Sequence, residues 1–256
     1  LSILSQFSLA GRRALVTGSS RGIGLAIARA LGQAGAEVVL NGRDTEALGS
    51  AAKDLAAEGL TVKAVAFDVT SDESVADGIA YCEDELGGID ILFNNAGQQH
   101  RAPLDQFPRE KFEALMMTHV TATFAVSQAA AKGMIARKRG RIINICSVLT
   151  DHARQGVAPY GAAKAAIANL TRGMAADWAR HGINANAIAP GFFKTELNEA
   201  LIADTDFNAW LEKRTPMGRW GEVEELGGAA VFLASDAASF VNGHILYVDG
   251  AFTAVV

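Results

Sequence analysis

The sequence predicts an α/β protein built on one doubly wound parallel sheet, and three observations carry that expectation. Short apolar runs alternate with helical patterns along nearly the whole chain, as strands covered on both faces by helices require. Tight turns are abundant, with 26 glycines and only five prolines in 256 residues, so many strand-to-helix bends can be made without breaking either element. No internal repeat or low-complexity linker interrupts the alternation. Residues 1–256 are therefore expected to form a single domain, with ligands at the carboxyl edge of its sheet.

In chain order, Leu1–Leu9 reads as a short arm before a turn at Gly11, and Ala14–Val16 as the first strand. That strand runs into Thr17-Gly18-Ser19-Ser20-Arg21-Gly22-Ile23-Gly24, which opens a helix to about Ala34. A glycine-rich bend here lets the backbone approach a pyrophosphate, while the helix's free amides and dipole face it. Any tight strand-to-helix turn can need glycines, so the loop gains its meaning from following the first strand of an α/β chain. Glu37–Leu40 is the second strand and ends in Asn41-Gly42-Arg43. An acidic side chain at this end would accept hydrogen bonds from ribose hydroxyls. Gly42 stands there instead and offers a 2'-phosphate no repulsion, while Arg43 and Arg21 can grip such a group. The other reading of both arginines is solvated surface.

Asp44 is expected to cap a helix to about Glu58, where Gly59 stops it. Val62–Phe67 is the third strand; Asp68 at its end either meets an adenine amino group or caps the adjacent turn. Thr70 with Glu73 reads as a capping box for a helix to Leu86, ended by Gly87-Gly88. Ile89–Phe93 is the fourth strand, and the Asn94-Asn95-Ala96-Gly97 after it combines close approach with amides able to bridge loops. A long helical pattern then runs from near Pro108 to Arg137, its basic tail offsetting the helix dipole.

Arg141–Cys146 reads as a buried strand that delivers Ser147 to the sheet edge. The helix after it, reaching about His181, puts Tyr160 and Lys164 four apart on one face. Ile183–Ile188 is a further strand, followed by a structured turn, Ala189–Thr195. From Glu196 to Gly221 the chain leaves the alternation, with helical patterns at Leu197–Ile202 and Phe207–Leu211, and this segment is expected to be a substrate lid. A helix over Glu222–Leu233 and a strand over Ile245–Val248 complete the fold.

Ser147, Tyr160 and Lys164 can converge on one small polar group, and the chemistry that wants them is hydride transfer at a carbinol carbon. A phenol is a poor base at neutral pH, and an ammonium one turn away is expected to lower its pKa. The serine hydroxyl can hold the oxygen on which charge builds. A tyrosine and a lysine four apart also occur in many helices by chance, so the rest of the chain has to decide.

The formal charge of -5 gives no electrostatic case for nucleic acid or an acidic membrane. Cys82 and Cys146 have no metal-ligand spacing, so no metal site is expected and both read as small buried hydrophobes in a reducing compartment. With neither a basic leader nor a long apolar segment in view, a cytoplasmic protein without membrane contact is expected.

Four motifs together, TGSSRGIG at 17–24, NNAG at 94–97, the Ser147-Tyr160-Lys164 set and PGFFKT at 190–195, resemble the short-chain dehydrogenase/reductase family over essentially the whole chain. The resemblance implies a seven-stranded Rossmann sheet, a homotetramer and a nicotinamide cofactor. It implies contacts to that cofactor from Gly18, Ser20, Arg21, Ile23, Gly24, Arg43, Asp68, Val69, Asn95, Ala96, Gly97, Tyr160, Lys164, Pro190, Gly191, Phe193 and Thr195. Gly42, Arg43 and Arg21 then favour NADP, with NAD as the alternative. Tyr160 is implied to exchange a proton with the substrate oxygen, Lys164 to bind nicotinamide ribose and assist it, and Ser147 to position the substrate.

Phrases such as NNAGQQHRAPLDQFP, IAPGFFKTEL and WLEKRTPMGRWG resemble more closely a sugar-acid branch that interconverts gluconate and 5-keto-gluconate. Arg101 matches the arginine placed there for the acid's carboxylate, and Arg154 and His152 add polar reach from the loop before Tyr160. Other polyols, sugars and 3-oxoacyl thioesters are alternative substrates, and Phe192, Phe193 and Trp210 either line the pocket or fill core. A non-catalytic dinucleotide-binding regulator is the rival class, against which the intact Ser-Tyr-Lys set argues. The family usually carries an asparagine where this chain has His119, and an altered pH response is expected from the exchange.

Overall fold

The computed structural model describes residues 2–255; Leu1, at the start of the expected arm, and Val256 lie outside them. Seven strands form one sheet, β1 Arg13–Val16, β2 Glu37–Gly42, β3 Val62–Ala66, β4 Ile91–Asn94, β5 Gly140–Ile145, β6 Ile183–Pro190 and β7 Ile245–Val248. Their order across the sheet is β3-β2-β1-β4-β5-β6-β7 and every pairing is parallel. The chain therefore winds outward in both directions from the β1/β4 junction, and the loops after those two strands part there to leave a crevice.

Strand periodicity decides what covers each face. Ala14 and Val16 point to a core shared with helices α1 Gly22–Gln33, α2 Thr45–Ala57 and α9 Gly227–Ala234. Leu15 points to the other, shared with α3 Asp72–Asp84, α5 Ala122–Arg137 and α6 Ala158–Trp178. This single domain is the doubly wound Rossmann arrangement the sequence predicts. Cys82 and Cys146 are both free and buried. None of the described helices is long and apolar enough to cross a membrane.

Several elements depart from expectation. The arm carries a short 3-10 turn, Ile3–Phe7, capped by Ser2. Strand β2 extends through Asn41 and Gly42, and β6 through Pro190, so both carry their last residues to the carboxyl edge. The cap of α3 is Ser71, whose hydroxyl accepts from the Ser74 amide. Thr70, one residue earlier, instead donates its hydroxyl to Asp68. The long pattern after Pro108 is interrupted: α4 Arg109–Met116 passes into a π-turn, Met117–Thr121, before α5. Such turns widen the backbone by one residue and recur at functional sites. Here the widened turn carries His119 beneath the β4 loop. The 196–221 excursion contains a 3-10 turn at Glu196–Asn198 and two short helices, α7 Glu199–Ile202 and α8 Thr205–Arg214.

Candidate active site

A cleft of about 990 Å³ runs along the carboxyl edge of the sheet, from Arg43 and Asp68 at one end to Tyr160 and Lys164 at the other. Its floor is the stretch from Gly18 to Gly24, and hydrogen bonds across the β1/β4 junction stitch it in place. Thr17 Oγ1 accepts from the Asn95 and Ala96 amides at 3.0 and 3.1 Å, and Asn95 Nδ2 donates to the Thr17 and Gly18 carbonyls at 3.0 and 2.9 Å. Gly18 takes a positive φ of 61°, and a β-carbon on it would lie 2.8 Å from Ala96 Cα. The first turn of α1 has no side-chain cap, so its amides and dipole are left for an anion. A tight cradle closed by glycines with uncapped amides fits a dinucleotide pyrophosphate.

At the far end of β2, Gly42 stands where an acidic residue would exclude a 2'-phosphate. Arg43 is exposed beside it, its guanidinium 3.9 Å from the Asp68 carboxylate. The second Asp68 oxygen accepts from the Thr70 amide and hydroxyl at 2.9 and 2.7 Å. These bonds, with the Arg43 charge, hold its pKa below the ordinary carboxylate value. Arg21 reaches across the cleft mouth to Glu196 of the excursion at 3.0 Å, and both side chains are largely exposed.

At the opposite end β5 stops at Ile145 and Ser147 turns back as an N-cap, its Oγ accepting from the Leu149 amide at 3.1 Å. Pro159 starts α6 and places Tyr160 in its first turn, with Lys164 one turn on. The buried Lys164 Nζ donates to the Ile145 carbonyl at 2.7 Å and lies 5.4 Å from the centre of the Tyr160 ring. Contrary to the expected lowering of the phenol's pKa by that ammonium, the protein packed around half-buried Tyr160 pushes it up to about 12. The Ser147 hydrogen bond works in the opposite direction. Burial likewise brings Lys164 down to about 8. Desolvation outweighs attraction at both groups, so at neutral pH the pair consists of a neutral phenol and a cation.

His119 meets the Tyr160 ring edge to face, centroids 5.4 Å apart and planes at 88°. Its Nε2 lies 2.8 Å from the Gln98 carbonyl and 3.3 Å from the Gln98 amide nitrogen, and Nδ1 is buried without a partner among the described residues. Burial, with help from the Lys164 charge, drives its pKa down to about 3. With its imidazole neutral throughout the neutral range, any altered pH response from this exchange does not come from titration of His119 itself, which braces the tyrosine.

Of the expected cofactor contacts, Gly18, Ser20, Arg21, Ile23, Gly24, Arg43, Asp68, Val69, Asn95, Ala96, Gly97, Tyr160, Lys164 and Thr195 all line the cleft. Pro190, Gly191 and Phe193 do not. Phe193 is 4% exposed and packs in the main core against Gly221, while Gly191 abuts Asp249. Phe192 is the hub of an aromatic cluster with Phe207, Trp210, Trp220 and Phe252, at centroid distances of 5.3–6.1 Å. Arg101 is exposed and donates to Asn198 Oδ1 at 3.3 Å, outside the cleft's lining but close enough for its charge to act on Tyr160.

Sequence reasoning passed over Asn41, Gln98 and Glu196. Asn41 is buried and ties the Ser19 hydroxyl to the Val65 and Phe67 carbonyls. An asparagine ending a strand that is otherwise apolar was the available signal. Nothing local marks Glu196, whose partner is 175 residues away in the chain, from Arg21 to Glu196.

Fold and site together define a nucleotide-dependent oxidoreductase. The chain belongs to the short-chain dehydrogenase/reductase family. Residues 18–253 match a family profile described as Enoyl-(Acyl carrier protein) reductase. It is 59% identical over 247 residues to gluconate 5-dehydrogenase of Gluconobacter oxydans, covering 96% of both chains. To 5-keto-D-gluconate 5-reductase of Escherichia coli it is 46% identical over 250 residues, 98% of both. The crystal structure of a gluconate 5-dehydrogenase from Burkholderia cenocepacia, in complex with NADP and tartrate, superposes with a TM-score of 0.98 at 53% identity over the full length of both chains.

Proposed function

We propose that the protein is an NADP-dependent oxidoreductase interconverting D-gluconate and 5-keto-D-gluconate, with residues 196–221 as its lid. The observation that carries this reading is the cleft that joins a glycine-closed anion cradle to Tyr160 and Lys164, with the Ser147 side chain hydrogen-bonded to the phenol beside it. NADP, when bound, supplies or accepts the hydride. The stretch from Gly18 to Gly24 holds its pyrophosphate, Arg43 its 2'-phosphate, and Asp68, Val69, Asn95, Ala96, Gly97 and Thr195 flank it; any share from Pro190, Gly191 and Phe193 is through backbone.

During ketone reduction Tyr160 gives its proton to the substrate oxygen. Its raised pKa keeps that proton in place across the neutral range. Ser147 donates a hydrogen bond to the same oxygen, where negative charge grows. Lys164, anchored by the Ile145 carbonyl, holds positive charge near the phenol and offsets the phenolate left behind. Arg101 faces the carboxylate. Relatives that act on gluconate and 5-keto-gluconate support the substrate, and one solved with NADP supports the cofactor.

The test is a panel of ketones with NADPH: 5-keto-gluconate, 2-keto-gluconate, fructose and an acetoacetyl thioester. 5-Keto-gluconate is expected to give the highest kcat/KM, and preference for the thioester or the neutral sugar would overturn the assignment. Arg43→Ala is expected to raise the KM for NADPH roughly tenfold while leaving NADH nearly unchanged, the loss of a charge-assisted contact to phosphate. Equal effects on both nucleotides would remove the phosphate clamp.

Family membership and exposed apolar side chains on α4 and α5, Phe112 at 42% and Phe124 at 45%, support a homotetramer. On α6, Ala163 is wholly buried in its own subunit, whereas Ala162 is exposed. Light scattering at micromolar concentration checks this, a monomer being the contrary result. A cytoplasmic location fits two free buried thiols.

A further inference from the structure

Arg154 lies in the loop between Ser147 and α6, half-buried, and no part of the mechanism above uses it. Its guanidinium carbon is 5.3 Å from the centre of the Phe207 ring and 5.8 Å from that of Phe192, so the lid's aromatic cluster forms its backing. Its Nε is buried and without a hydrogen-bond partner, and no carboxylate is paired with it or with Arg101 among the described residues.

The two arginines belong to loops that are pinned together. The Ala102 amide donates to the Gly156 carbonyl at 3.1 Å, one residue from Arg101 and two from Arg154. Each also touches the lid, Arg101 through Asn198 and Arg154 through Phe207. Burial, together with the Arg101 charge, depresses the Arg154 pKa. Gathering two cations without an acid between them costs folding free energy, and an anion shared by both offsets that cost. Aromatic backing suits a guanidinium for the task, since it holds the plane and leaves the N–H edge for a carboxylate.

We infer that Arg154 and Arg101 form a two-guanidinium seat for the substrate carboxylate, with Arg154 a specificity-determining residue that selects sugar acids over neutral ketoses. This deepens the sugar-acid reading and rests on it. The lid supplies the seat's apolar wall, so the carboxylate is engaged where the lid meets the Tyr160 loop and the reacting carbon is left to Tyr160 and Ser147.

The experiment compares 5-keto-D-gluconate with fructose in wild type, Arg154→Met, Arg154→Lys and Arg101→Met, with NADPH binding followed by fluorescence as a folding control. Arg154→Met is expected to raise the KM for the acid roughly tenfold or more, with a smaller effect on kcat and none on fructose, as loss of a charge-assisted bidentate contact predicts. Arg154→Lys keeps the charge without the fork and is expected to fall between. It also serves if the methionine variant does not fold. Equal losses on acid and neutral substrate would make Arg154 a structural support of the lid and overturn the seat, as would unchanged kinetics in both variants. A wild-type enzyme with no preference for the acid would sink the sugar-acid reading itself, and the seat with it. The two failures are thus distinguishable.

Discussion

Tyr160→Phe is expected to lose turnover in both directions by roughly a hundredfold to ten-thousandfold, while NADPH binding stays within about twofold. The exchange deletes one oxygen and leaves the ring, so the edge contact with His119 and the start of α6 persist. Ser147 loses its hydrogen bond to the phenol but keeps the one it accepts from the Leu149 amide. Thermal stability should accordingly change little, and the loss can be assigned to chemistry. The pH dependence has a defined sign. With the phenol at about 12, alcohol oxidation, which needs the phenolate, should accelerate as pH rises, whereas ketone reduction already has its proton donor. With Lys164 at about 8, loss of its charge should make reduction decline above that pH. Steady-state rates and a fluorescence titration of the variant check this. Retained turnover would remove Tyr160 from the mechanism.

Gly24→Ala should damage both folding and nucleotide affinity. A β-carbon at this position would strike the Gly18 carbonyl and lie 2.5 Å from Asn95 Nδ2 and 2.9 Å from Ser19 Cα. Two of these obstacles are backbone, and the third is the amide that stitches β1's loop to β4's. The loop must open or the stitch must break. Overpacking of this kind costs about 1–3 kcal/mol, and each kcal/mol lowers the Tm of a domain this size by about 2–4 °C. Affinity for NADPH should fall tenfold or more by the same displacement, roughly the loss of one or two amide contacts. Gly228→Ala is the internal control: a β-carbon there meets nothing within 4 Å in α9, so stability should hold or rise. Calorimetry and nucleotide titration of the two variants decide the matter. An unperturbed Gly24→Ala protein would refute the close-packed loop.

Much of the fold could be read from the chain because its signals are local. Asp44 caps α2 by accepting from Glu46 and Ala47, two and three residues on, and the apolar alternation of Ala14, Leu15 and Val16 divides the two cores. The Ser147, Tyr160 and Lys164 set was legible for the same reason, since strand end and helix turn fix their spacing. What escaped depends on partners distant in sequence or on burial. The phenol's pKa is set by the packing around it, which the spacing of Tyr160 and Lys164 does not encode. Phe192 and Phe193 are neighbours of identical chemistry, yet one centres the aromatic cluster and the other enters the main core. The π-turn at His119 looked like uninterrupted helix because its composition is that of one.

The Arg21 to Glu196 pair bears on residence time. One partner stands on the glycine loop at the cleft floor and the other on the 196–221 excursion, so this ion pair ties the excursion to the floor. Exposed pairs of this sort hold by less than about 1 kcal/mol and weaken as salt rises. Such a fastening is slight enough to part on every cycle, and its strength is set by the surrounding electrolyte. On the lid assignment proposed above, nucleotide release should quicken as salt rises, while the proton transfer proposed for Tyr160 should respond less.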